Sequence, residues 1–114
     1  MLNSGDVVDL DFGPTKGREA GFRHPAVVVS AQRILDASPS VLQVVPLTST
    51  IRSFGSEIAV SPEVTNGLDR RSAAQCQHIR GVSPARVLAI RGNIGPVLLA
   101  QIRETLAVIL DVSR

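Results

Sequence analysis

A chain of 114 residues is the size of one ordinary domain, and 44% hydrophobic residues with a mean hydropathy of +0.21 are ample for a core, which excludes a disordered chain. With 3% aromatic residues and no Trp or Tyr, that core must be aliphatic. The net charge is only +2, from 12 basic and 10 acidic residues, but eleven of the basic residues are Arg, whose guanidinium fork suits phosphate oxygens and stacks on bases.

No apolar run approaches the roughly 20 residues that span a bilayer, so a membrane-spanning chain is not expected. Residues 1–6 have no basic segment before an apolar one, so no signal peptide is expected there. The single Cys76 excludes an intramolecular disulfide and suits a reducing cytosol. Its neighbours Gln75 and Gln77 supply no charge to lower a thiol pKa, so it reads as a small buried residue rather than a nucleophile.

In chain order, residues 6–12 mix apolar and acidic positions in partial alternation, which predicts a first strand with one wet face. Residues 13–21 hold Gly, Pro and both signs of charge, the composition of a loop longer than a hairpin needs and suited to binding. Residues 22–29 end in a branched apolar run and predict a buried second strand. Residues 31–36 predict a short helical turn, broken by Ser38-Pro39-Ser40. The run from Val41 to Leu47 predicts a third, buried strand that stops in Thr48-Ser49-Thr50.

Hydroxyl side chains at the rim of a rigid sheet are well placed to hold an anion. Residues 51–56 form a second polar loop, in which Phe54 either folds back on the core or stacks on a base. Residues 57–60 predict a fourth strand, Asn66-Gly67 a turn, and residues 72–79 a fifth strand without strong β formers. Ser83-Pro84 reads as a cap and first position of a single turn. Residues 89–94 read as a short strand or link. After Gly95-Pro96, Leu99, Ile102, Leu106 and Ile109 recur at spacings of three and four, which predicts an amphipathic C-terminal helix.

The expected architecture is therefore one domain over residues 1–114. It is α+β and mostly β: a small antiparallel barrel or strongly curved sheet with the helix at its end. Phosphate-binding Gly-rich loops, metal-type Cys/His spacings and nucleophile elbows are absent from the sequence, so neither metal nor cofactor is expected.

Five pieces, in order, carry a resemblance. They are Gly5-Asp6-Val7-Val8, Gly17-x-Glu19, Arg23-His24-Pro25-Ala26-Val27-Val28-Val29-Ser30, Val45-Pro46-Leu47-Thr48-Ser49 and Gln75-x-x-His78-Ile79-Arg80. Together they resemble the MazF/PemK/Kid group of bacterial toxins from toxin–antitoxin pairs. The resemblance implies an SH3-like curved sheet with a terminal helix, a cytoplasmic homodimer, and metal-independent, sequence-selective cleavage of single-stranded RNA. It also implies a cognate antitoxin whose disordered tail covers the RNA groove.

On that resemblance, Arg23, His24 and Thr48 are the catalytic candidates. Glu19, Ser49, Arg52, Phe54, Gln77, His78 and Arg80 are the candidates for RNA binding. Two departures stand out. His24 occupies the place directly before the strand's Pro where the family usually has Arg, with Arg23 one residue earlier; adjacent strand residues point to opposite faces, so one of the two enters the groove unless a bulge intervenes. His24 reads either as a proton carrier or as a surface or capping residue. Gln77 stands where many relatives carry an acid, so its proton chemistry would pass elsewhere, for instance to His78. His78 and Arg80 read equally as a solvated strand end or a dimer contact. The same fold is shared by toxins that trap DNA gyrase and cut nothing, which leaves a non-catalytic alternative.

Overall fold

The computed structural model describes residues 1–14 and 21–113. Its strands are β1 (Asp6–Pro14), β2 (Gly21–Val28), β3 (Leu42–Thr48), β4 (Glu57–Val60), β5 (Ser72–Gln75), β6 (Arg80–Val82) and β7 (Val87–Asn93). A short helix α1 (Gln32–Asp36) follows β2, and the long helix α2 (Gly95–Leu110) closes the chain. The strands pair antiparallel in the order β4-β5-β3-β2-β1-β7, with β6 on β3. The sheet is bent but not closed, with β4 and β7 at its two ends.

Both faces of this sheet are covered at its centre, which is why residues 25–29 and 44–47 read as apolar runs. Val7, Val27, Val45 and Leu47 pack with Leu99, Ile102 and Leu106 of α2. Val8, Leu10, Ala26, Val28 and Val44 form a second cluster on the other face with Leu35 of α1 and Val82 of β6. Neighbours in sequence thus alternate between the two clusters. The stripe expected on α2 is buried as far as Leu106, but Ile109 is 41% exposed, because the helix runs past the sheet.

Two elements differ from expectation. The strand expected over 72–79 stops at Gln75 and continues as a 3-10 turn, Cys76–His78, before β6. The pairs Leu47↔Ala74 and Val44↔Arg80 on β3 show the ladder slipping by the three residues of that turn. The turn therefore bulges out of the sheet beside β3. The short strand or link expected at 89–94 is a strand, and a longer one: the edge strand β7, fixed along β1 from Asp6↔Asn93 to Leu10↔Val87. The single turn capped by Ser83 is present over Pro84–Arg86, with the Ala85 N–H donating to Ser83 Oγ at 3.2 Å.

The loop carrying Asn66-Gly67 is pressed against β7. A Cβ on Gly92 would lie 2.3 Å from the Thr65 carbonyl oxygen, and one on Gly67 (φ +67°) 2.4 Å from that of Arg91. Both neighbours are backbone and cannot swing away. Gly92→Ala is expected to cost about 1–3 kcal/mol in denaturant unfolding. A cost below about 0.5 kcal/mol would show that the loop is not held there.

Candidate active site

The face of the sheet that buries Ala26 and Val44 continues outward to a polar rim. Residues of that parity are Phe12 on β1, His24 on β2, Pro46 and Thr48 on β3, and Arg80 on β6. The β2–β3 ladder runs from Val28↔Val44 to Ala26↔Pro46, and His24 and Thr48 lie two residues beyond its end, both on the parity of Ala26 and Pro46. Phe12, His24, Pro46, His78 and Arg80 line one cleft at this rim. The Arg80 guanidinium lies over the Phe12 ring, 4.6 Å from its centroid, and the His24 ring centroid is 5.8 Å from that of Phe12. An aromatic floor thus carries two imidazoles and a guanidinium at its edge.

His24 is half-buried, and its pKa lies below the usual 6.5. Burial disfavours the imidazolium and outweighs a hydrogen bond from the ring to the Leu47 backbone carbonyl, which acts the other way. An imidazole that donates one N–H to a carbonyl and stays neutral at pH 7 is the tautomer whose second nitrogen can accept a proton. Thr48 complements it. The Thr50 N–H donates to Thr48 Oγ1 at 3.1 Å, which anchors the oxygen as an acceptor and leaves the hydroxyl proton as the donor.

Arg23 pairs with Asp11 and is exposed, but its parity is that of Pro25 and Val27, so it belongs to the opposite face from His24 and Thr48. Of the two cations expected at this strand end, it is His24 that shares its parity with Thr48. Ser49, of Arg23's parity, lines a second cleft with Pro25, Leu47, Arg70, Ser72 and Arg91; His24 forms the wall between the two clefts. Glu19 lies outside the described residues.

The other flank of the rim is built by the loop between β3 and β4. Arg52 lies over the Phe54 ring, 4.8 Å from its centroid, and Phe54 is 51% exposed rather than folded onto the core. Arg52 Nη2 donates to Glu57 Oε2 at 2.6 Å, and Gln77 Nε2 donates to the same oxygen at 2.7 Å. Gln77 is therefore turned inward onto Glu57, and its neighbour His78 is the residue the 3-10 turn leaves exposed. Burial raises the Glu57 pKa, but the hydrogen bonds from Gln77, Arg52 and Gln75 and the Arg52 charge outweigh it and leave the carboxyl below its usual 4.5.

A carboxyl whose folded pKa is depressed stabilises the fold above the unfolded value and loses that contribution as pH falls. Thermal melts from pH 6 to 3 should show Glu57→Gln losing less stability with acid than the wild type; parallel curves would remove the assignment.

Sequence reasoning missed Phe12 and Glu57. Phe12 continues the alternation of Val8 and Leu10, which was a usable signal. Glu57 carried none, since its partners are 5 to 20 residues away. Burial pushes the Cys76 thiol up to about 11, in keeping with a small core residue. Among the described residues, no group of three or more His, Cys, Asp or Glu side chains is placed to hold a metal ion.

Comparison with known proteins bears on this geometry. Residues 3–110 match the model of the PemK-like, MazF-like toxins of type II toxin–antitoxin systems. The chain is 33% identical to endoribonuclease MazF9 of Mycobacterium tuberculosis, over 97% of this chain and 98% of that relative. It is 28% identical to the endoribonuclease toxin MazF of Escherichia coli K12, over 93% of this chain and 91% of that one. Its fold is similar to a crystal structure of MazE-MazF from Deinococcus radiodurans, with a TM-score of 0.81, 24% identity, and 98% and 97% of the two chains covered.

Proposed function

The chain belongs to the PemK-like, MazF-like toxins of type II toxin–antitoxin systems, and from that premise we propose that it is a sequence-selective endoribonuclease that cuts single-stranded RNA. The observation that carries the reading is the rim itself: an imidazole held neutral beside a guanidinium and a second imidazole, on the same sheet parity as a hydroxyl donor.

RNA contains its own nucleophile. The ribose 2′-OH attacks the adjacent phosphorus, the bond to O5′ breaks, and the products are a 2′,3′-cyclic phosphate and a free 5′-OH. The step needs a base for the 2′-OH proton, donors for the extra charge on the phosphoryl oxygens, and an acid for the leaving O5′. His24 takes the proton. Thr48 Oγ1 and Arg80 donate to the phosphoryl oxygens. His78, across the cleft, returns a proton to O5′. Ser49, Arg52 and Phe54 engage the flanking nucleotides, with Gln77 supporting that loop from beneath. Arg23, on the far face, contacts RNA outside the reacting centre.

The relatives' names favour this reading over trapping of DNA gyrase, which would leave His24 and Thr48 without a use. We place the protein in the cytoplasm, where RNA is available and a lone buried Cys stays reduced. No described helix is long and apolar enough to cross a membrane. Val97, Val108 and Leu110 of α2 are exposed, as are Leu88 and Ile90 of β7, apolar surface suited to a second copy of the chain and to a cognate antitoxin. The solved MazE-MazF complex supports the antitoxin part of this reading.

Purified protein incubated with a long single-stranded RNA in excess chelator should produce discrete fragments with new 5′-OH ends. Intact RNA under those conditions would refute the assignment. Arg23→Ala should cost less than about tenfold in kcat/KM, since a contact outside the reacting centre contributes binding rather than charge stabilisation. Loss of all activity in that variant would return Arg23 to the groove.

A further inference from the structure

We propose that Glu57 is a positioning residue for substrate: a buried carboxylate that fixes Arg52 and Phe54 as a rigid platform for an unstacked nucleobase beside the scissile phosphate. The inference rests on the nuclease reading above and adds to it the part of the molecule that holds the flanking nucleotide.

Glu57 opens β4, and its N–H donates to the Phe54 carbonyl at 3.0 Å, which closes the loop tightly at its far end. Its side chain is only 2% exposed, whereas that of Arg52 is 40% exposed. One carboxylate oxygen, Oε2, collects three donors: Arg52 Nη2 at 2.6 Å, Gln77 Nε2 at 2.7 Å and Gln75 Nε2 at 3.3 Å. The other oxygen, Oε1, is buried with no donor among the described residues, as is Gln77 Oε1. The three donors keep the carboxylate charged despite its burial, and they also fix where it sits. The network thus supplies geometry as well as stability.

It ties together the side chains of two segments whose backbones meet at Glu57↔Gln75 and through the Cys76 N–H donating to the Ser56 carbonyl at 3.1 Å. One is the loop after Thr48, which carries Arg52 and Phe54. The other is the 3-10 turn that bulges from the β3 ladder and carries Gln77 and His78. A guanidinium bound at one edge to a buried carboxylate and lying over a ring has lost most of its rotamer freedom. Its remaining N–H groups and the exposed part of the Phe54 ring then meet an incoming nucleotide without first being ordered. Single-stranded RNA offers that partner: an unstacked base for the ring, and acceptor oxygens or a base edge for the fork.

The test uses a short single-stranded RNA spanning one mapped cut site, with kcat and KM measured for wild type, Arg52→Ala, Glu57→Ala, Glu57→Gln and the Arg52→Ala/Glu57→Ala pair. Arg52→Ala and Glu57→Ala should each raise KM about tenfold and change kcat by less than about twofold. The double variant should be no worse than either single one, because both remove the same platform. Glu57→Gln, which keeps the shape and an acceptor, should recover part of the loss. Arg52 is exposed, so its variant reads the claim even if Glu57→Ala lowers the melting temperature. Unchanged KM in Arg52→Ala, KM effects that multiply in the double variant, or a loss confined to kcat would each overturn the inference. RNA left uncut by the wild-type protein would instead overturn the nuclease reading on which it stands.

Discussion

His24→Gln is expected to leave the fold intact and lower kcat by about 10²- to 10⁴-fold on single-stranded RNA, the span usual for losing a positioned general base. The side chain stands at the wall between two surface clefts, so the replacement opens no cavity in either apolar cluster. The pH profile gives the sharper readout. The neutral imidazole is the active form, and burial holds the His24 pKa below the ordinary 6.5. Wild-type kcat/KM should therefore be on its plateau at neutral pH and fall with acid through a pKa under 6.5. That limb should be missing from the residual activity of His24→Gln. The same depressed pKa means that acid also costs fold stability, since protonation is harder in the folded chain than in the unfolded one. Melting temperatures across the same pH range separate loss of the base from loss of the fold. A variant with more than about a tenth of wild-type kcat would exclude His24 as the base.

Thr48→Val should lower kcat by about 10²- to 10³-fold with little change in KM, as expected for removing one donor aimed at charge that develops only in the transition state. Valine keeps the branched shape at the end of β3 and so preserves the strand. It removes the acceptor for the Thr50 N–H, but that group is exposed and water replaces the bond. Thr48→Ser, which restores the hydroxyl on a less restricted side chain, should recover most of the rate. If the Val variant matches or exceeds the Ser variant, the hydroxyl is not the donor.

Much of the framework was legible because both faces of the sheet are covered. The runs over residues 25–29 and 44–47 are apolar at every position, which only a strand buried on two sides requires. The stripe of Leu99, Ile102 and Leu106 similarly marked α2. Features that depend on a partner strand were not legible. Whether residue 23 or 24 shares the parity of the hydroxyl is a question of register between β2 and β3, and alternation within one strand cannot answer it. The break at Cys76 arises because β5 and β6 both pair along one edge of β3, three residues out of step. Glu57 became visible only when the loop, the turn and β5 met around it.

The central claim is that the imidazole of His24 and the alcohol of Thr48 act on one phosphodiester whose nucleophile is the RNA's own 2′-OH. An RNA carrying a single 2′-deoxyribose immediately 5′ of the mapped cut tests it most directly. The account predicts that this RNA binds as tightly as its all-ribose counterpart and is not cut at that bond, whereas the counterpart yields a 2′,3′-cyclic phosphate by mass spectrometry. Cleavage of the deoxy-substituted bond at a comparable rate, leaving a 3′-OH or a linear phosphate, would show water or another group as the nucleophile and contradict the account.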